Sequence, residues 1–234
     1  MDRPHFKPFD PHAEVTIYRR NMPHWRQKGC TYFITFRQAD SIPRSVQLRW
    51  REERDLWLKA HGITKPLRTK AGLEQYLRVA QRERRTFEKR QGKQLHIELD
   101  RGHGTCLFRI QAHRDELAHA LHHFHGERLW CGDWVIMPNH AHWLMTPRRD
   151  WEVERLLQSI KRHVSLQLTQ QGINKGSLWQ KESYDRIVRD YKELRAYRKY
   201  IAENPMKAGL RRRESALFRA SWLDDELDAQ SIPD

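Results

Sequence analysis

Two histidines separated by a single residue, His140 and His142, are the side chains whose type and spacing most directly allow chemistry. On a β-strand alternate residues share a face, so both imidazoles project together while Ala141 turns the other way. Such a pair on a rigid strand can ligate a metal ion once a third donor converges on it. Further on, Tyr200 and Asn204 stand four apart, which on a helix puts them on one face, a turn from each other. A tyrosine hydroxyl ionises near pH ~10 and attacks a phosphate only with help. A divalent ion that polarises the phosphate gives that help, and the Asn204 amide oxygen could complete its site. Local sequence also fits a plainer account. An isolated His-x-His is a weak signal, Tyr200 can pack beside Tyr197 and Ile201, and Asn204 can end a helix ahead of Pro205.

The elements that must position these groups are legible in part. Residues 1–24 hold several prolines among charges and read as an irregular arm. Thr31–Phe36 is rich in β-branched and aromatic residues and predicts a strand. A helix to about Ala60 follows, with Ser41 as its cap and Gly62 as its stop. Residues 65–93 carry ten basic residues against three acids and predict a basic helix within an insertion at about 62–100. A helix over Arg114–His125, strands over Trp130–Met137 and His140–Met145, and a helix over Glu152–Gln170 come next. A strand over Trp179–Arg189 and a helix from Tyr191 to about Gly209 close the pattern, leaving 211–234 as a C-terminal tail, acidic and expected to be mobile over Asp224–Asp234. The order predicts an α+β fold, a ferredoxin- or RRM-like βαββαβ antiparallel sheet with helices on one face, plus the basic helical insertion. Five histidines over 113–125 resemble a metal cluster, but helical spacing makes them a polar surface.

Composition narrows the class of partner. The 234 residues carry 44 Lys and Arg against 30 Asp and Glu, a net charge of +14. A field of that sign draws in polyanions, nucleic acid foremost. Three cysteines form no CxxC pair, which suits a reducing compartment, and neither a signal-peptide core nor an 18-residue apolar run is present. These features predict a cytoplasmic, nucleoid-associated protein without a membrane partner.

Five segments then occur in order: Tyr32–Phe36, Val135–His142, Leu178–Gln180, Tyr184–Arg186 and Tyr200–Leu210, the last reading Tyr-Ile-x-x-Asn-Pro-x-x-Ala-Gly-Leu. Together they resemble the IS200-like single-tyrosine HUH transposases, the REP-associated tyrosine transposases in particular, over residues 25–210. The resemblance implies His140 and His142 as metal ligands, Asn204 as the third, Tyr200 as nucleophile, and Mg²⁺ or Mn²⁺ as the ion. It implies a single-stranded DNA endonuclease and strand transferase acting on REP-like hairpins through a 5′-phosphotyrosine. The alternative is a repeat-DNA-binding protein of the same fold that does not cleave. Among rival tyrosines, Tyr184 is the main competitor, and Tyr191 and Tyr197 are further ones. Arg82, Arg85, Lys161, Arg162, Arg186, Arg211 and Arg212 are candidates for DNA contacts, and Trp179 or Trp143 for base stacking, with burial of both in the core as the other reading. A monomer is preferred to a homodimer.

Overall fold

The computed structural model describes residues 3–19, 22–174 and 176–229. The N-terminal region is not wholly irregular: β1 (Thr16–Arg19) and β2 (Pro23–Arg26) pair antiparallel as a hairpin. The main sheet begins with β3 (Tyr32–Arg37), takes in β4 (Leu129–Ile136), β5 (His140–Pro147) and β6 (Tyr184–Ile187), and ends with β7 (Ala216–Phe218). Its order is β6-β3-β5-β4-β7, with every neighbouring pair antiparallel. Setting β7 aside, that is the strand order of a βαββαβ unit, as the pattern of elements predicts.

Between β3 and β4 the chain inserts α1 (Arg44–Ala60), α2 (Lys70–Arg78) and α3 (Gln81–Asp100), followed by α4 (Gln111–His122). The basic segment is therefore two helices, broken where Val79 turns extended. Tyr76 of α2 and the adjoining Val79 form a small core with Ile63 and Leu67, packed by Trp57 and Leu58 of α1, and Trp57 stacks on Phe87 of α3 with centroids 4.2 Å apart. Ser41 does not cap α1; its hydroxyl donates to the Gln38 carbonyl, and the helix starts after Pro43. After β5 come α5 (Val153–Gln170) and, beyond β6, α6 (Tyr191–Lys207). The expected strand over Trp179–Arg189 shortens to β6, with Trp179 bridging Gln38 alone. The acidic C-terminal segment is folded in part, as β7 and α7 (Ser221–Ala229).

Two cores flank the sheet. Tyr32, Ile34, Phe36, Ala141, Trp143 and Met145 point to one face, where Leu117 and Leu121 of α4 and Leu156, Ile160, Val164 and Leu168 of α5 cover them. Phe33, Val135 and Leu144 point to the other, against Leu194 and Ile201 of α6 and Leu223 of α7. Helices thus cover both faces, not one as expected, because β3, β4 and β5 are apolar on both sides and neither side tolerates water. Alternation puts His140, His142 and Leu144 together on the α6 side.

A phase change in β4 serves this arrangement. Leu129 and Cys131 face α4 and α5, as do Trp134 and Ile136, and a register shift between Cys131 and Trp134 reconciles the odd spacing. Gly132 sits in the shift, where a Cβ would stand 2.8 Å from the Leu144 carbonyl oxygen. Asp133 beside it points to α6 and meets Arg198 at 2.8 Å, both side chains 6% exposed. Asp224 of α7 holds the same guanidinium at 2.9 Å. The helix that carries Tyr200 is thereby fixed to the sheet and to α7.

Candidate active site

β5 presents its histidines at its N-terminal end, directly after the Pro138–Asn139 turn. His140 and His142 are buried, and their Nε2 atoms face each other at 3.1 Å. The opposite nitrogens are anchored. His140 Nδ1 donates to the Asn139 side-chain oxygen at 2.7 Å, and His142 Nδ1 meets the Thr35 hydroxyl at 2.7 Å. Burial pushes the His140 imidazole down to about 3, with the charges of His96 and Arg37 adding, and that of His142 well below its usual range, with His140 and His96 adding. Both rings are neutral at ordinary pH, as metal ligands must be. With Nδ1 of His140 protonated, its Nε2 lone pair points at His142, and the pair is built to share one proton or one cation.

α6 delivers Tyr200 to this pair. Its N-terminus is capped by the Asp190 carboxylate, which accepts from the Glu193 amide at 2.7 Å. Leu194, Ile201 and Arg198 bury one flank of the helix, and Tyr200 emerges next to them, half-buried. The Tyr200 hydroxyl lies 3.2 Å from His142 Nε2. Burial, then the Asp100 carboxylate, raise its ionisation above the ordinary phenol range, while Asn204 acts the other way. Asn204, one turn on, is fully buried, and neither atom of its amide has a hydrogen-bond partner. It lies near enough to Tyr200 and Asp100 to favour their ionised forms.

The rival tyrosines are occupied otherwise. Tyr197 stacks on Phe33 at 4.1 Å, Tyr191 packs against Phe6 at 4.9 Å, and the Tyr184 hydroxyl lies under Gly92 of α3. Sequence reasoning expected a basic helix here but gave α3 no place in the site. His96 from that helix stacks on Tyr200 with centroids 5.3 Å apart and meets the edge of His142 at 5.2 Å. The one available signal was the spacing Gly92, His96, Asp100, three residues at helical steps of four inside a basic stretch.

The donor set fits a divalent cation. Among the described residues no three His, Cys, Asp or Glu side chains converge on a point, so a third donor to an ion held by the histidines would have to be a group of another kind. The orphaned Asn204 amide is such a group, since a buried amide without a partner costs roughly 1–3 kcal/mol that an ion would recover. Two imidazole nitrogens with an amide oxygen suit Mn²⁺ ahead of Mg²⁺.

The expected DNA contacts divide. Arg82, Arg85, Arg162, Arg211 and Arg212 are exposed. Trp143 and Trp179 are buried, at 0% and 6% exposure, so neither offers a face to a base; the Trp179 indole donates to the Lys161 carbonyl at 2.9 Å. Lys161 itself donates to the Gln180 carbonyl at 2.7 Å, and Arg186 pairs with Glu193 at 3.2 Å. The histidines of 113–125 are a polar surface only in part: His113 is buried and bonded to the Leu107 carbonyl, and His122 accepts from the Trp134 indole at 2.9 Å.

Residues 117–204 match the family described as "Transposase IS200 like". Over this stretch, somewhat more than a third of its length, the chain is similar to the IS200-like transposases. The matched segment runs from α4 to Asn204 and contains His140, His142, Tyr200 and Asn204, whereas α1, α2 and α3 lie outside it. Comparison with curated proteins returns no match. Among solved structures, the chain is similar to one described as "Structure of the REP associates tyrosine transposase bound to a REP hairpin", with 16% identity, a TM-score of 0.42, and 80% of this chain aligned to 75% of the other. No helix among the described residues is long and apolar enough to cross a membrane.

Proposed function

We propose that this protein is a metal-dependent endonuclease and strand transferase for single-stranded DNA, with Tyr200 as nucleophile. The observation that carries the reading is the Tyr200 hydroxyl at 3.2 Å from His142 in a chain with an IS200-like domain. His140, His142 and Asn204 would hold Mn²⁺ or Mg²⁺. The ion, when bound, polarises the target phosphate and offsets charge on its non-bridging oxygens.

The chain's own groups do the rest. α6 and its Arg198–Asp133 anchor hold the Tyr200 oxygen beside the histidine pair. That oxygen gives up its proton as it attacks phosphorus, the bond to the 3′ oxygen breaks, and the departing strand takes up one proton as a 3′-hydroxyl while the 5′ phosphate stays on Tyr200. Attack by a 3′-hydroxyl reverses the step and joins strands, with no external energy source because the phosphodiester count is conserved. The exposed arginines, Arg82, Arg85, Arg162, Arg211 and Arg212, would meet the phosphate backbone. A REP-like hairpin as substrate, action as a monomer and a nucleoid-associated, cytoplasmic setting rest on the sequence resemblance.

The test mixes the protein and Mn²⁺ with labelled single-stranded oligonucleotides from the repeats beside its own gene, and looks for a covalent band on a denaturing gel. We expect a band that Tyr200→Phe or chelator abolishes. A band surviving Tyr200→Phe would move the nucleophile to Tyr184, and tight binding without any band would mean a non-cleaving repeat-binding protein.

A further inference from the structure

The active-site pair and Tyr200 lie on the sheet and on α6, yet the ring that covers the nucleophile comes from the insertion. Three aromatic rings surround Tyr200. His142 and Phe33 touch it edge-on, with centroids at 5.0 and 5.9 Å and interplanar angles of 69° and 77°. His96 is the one that lies along its face, at 5.3 Å and 28°. Edge contacts from one side leave an aromatic ring free to swing about its side-chain torsions, and a face contact from the opposite element removes that freedom.

His96 is itself held in place. Its ring meets Tyr184 edge-on at 5.5 Å and His142 at 5.2 Å, and its Nε2 stands 3.5 Å from the Thr35 hydroxyl that anchors His142. One turn earlier, Gly92 lets α3 press against the sheet: a Cβ there would lie 2.8 Å from the Tyr184 hydroxyl oxygen. One turn later stands Asp100, with a buried carboxylate oxygen that has no hydrogen-bond partner, near Asn204 and Tyr200. The face Gly92–His96–Asp100 is thus the roof of the site, although α3 lies outside the family match.

From this geometry we infer that His96 is a positioning residue for the nucleophile, its ring fixing Tyr200 against His142 in the attacking orientation. The inference rests on the proposed role of Tyr200. It gives the insertion a catalytic purpose that its basic charge alone does not require. His96 does not join the metal set, since it forms no three-residue ligand group with His140 and His142.

Single-turnover formation of the covalent adduct by the full chain separates these roles, alongside oligonucleotide affinity and Mn²⁺ affinity read by electron paramagnetic resonance. His96→Ala should slow adduct formation by about 10–100-fold, the scale of a nucleophile misplaced by about an ångström, with both affinities unchanged. His96→Phe, which keeps a stacking ring, should recover most of the rate, and it carries the test should His96→Ala lose its fold. A wild-type rate in His96→Ala, a His96→Phe as slow as His96→Ala, or Mn²⁺ affinity falling with the rate would each overturn the inference. An adduct that survives Tyr200→Phe would overturn the reading beneath it as well, whereas failure at His96 leaves Tyr200 in place.

Discussion

At the scale of single residues the site holds polar groups in poor bargains. Asn204 is fully buried with both amide atoms unpaired, and two imidazole nitrogens face each other at 3.1 Å. Structures keep such groups where function needs them, at a cost in stability. Replacing Asn204 by Leu, of similar volume, removes the unpaired amide. We expect Asn204→Leu to raise the urea stability of the metal-free protein by about 1–2 kcal/mol and to abolish metal-dependent adduct formation. A destabilised variant would show that the amide has a partner in solution. The types His140, His142, Tyr200 and Asn204 could be read from the sequence because strand and helix periodicities alone group them in pairs. His96 could not, since it meets Thr35 across 61 positions of chain and sits in an insertion whose charge suggested phosphate contacts or a solvated face.

At the scale of elements, α6 matters most, because a helix that slides carries the nucleophile with it. Its anchor is the buried Arg198–Asp133 pair, reached only because the irregularity in β4 turns Asp133 toward α6. Removing one partner strands a buried charge, so Arg198→Ala should cost about 3–5 kcal/mol by urea denaturation. The double variant Arg198→Met with Asp133→Leu leaves no buried charge unpaired, since the part-exposed Asp224 keeps Arg219, and should cost far less. Equal losses would show that the packing of α6 and α7, and not the charge balance, sets the stability here. The register shift was invisible in the sequence: Gly132 and Asp133 look like ordinary strand interruptions until Leu144 and Arg198 are seen opposite them. β6 was read too long for a related reason, since polar alternation over Trp179–Arg189 does not say which residues find a partner strand.

For the whole molecule, the buried histidines link folding to pH. Burial lowers His96 to about 4, His140 to about 3, and His142 well below its usual range, whereas all three titrate near ~6.5 once unfolded. Below that value the unfolded chain binds protons that the folded one refuses, so stability is full above pH ~6.5 and falls as pH drops toward the folded values. Asp100, raised by burial to about 6, runs the other way and offsets one proton. The metal-free protein should lose about 1.4 kcal/mol per pH unit for each net proton between roughly pH 6 and 5. Urea midpoints across that range check it, and His96→Phe should flatten the slope by one proton's worth. A midpoint independent of pH would mean that these rings are solvated in solution.

The sequence by itself determined the local and the repetitive. Period-two and period-3.6 patterns set most strands and helices, alternation set the shared face of the two histidines, and helical steps of four set Tyr200 beside Asn204. These are consequences of backbone geometry and need no partner. Only the tertiary structure decided which tyrosine faces the histidines, that Trp143 and Trp179 are core and not base-stacking surface, that the second face of the sheet is covered, and that α3 roofs the site. Each of those depends on which residues distant in the chain meet. That is fixed by the burial of apolar faces summed over the whole fold, a quantity no local window contains.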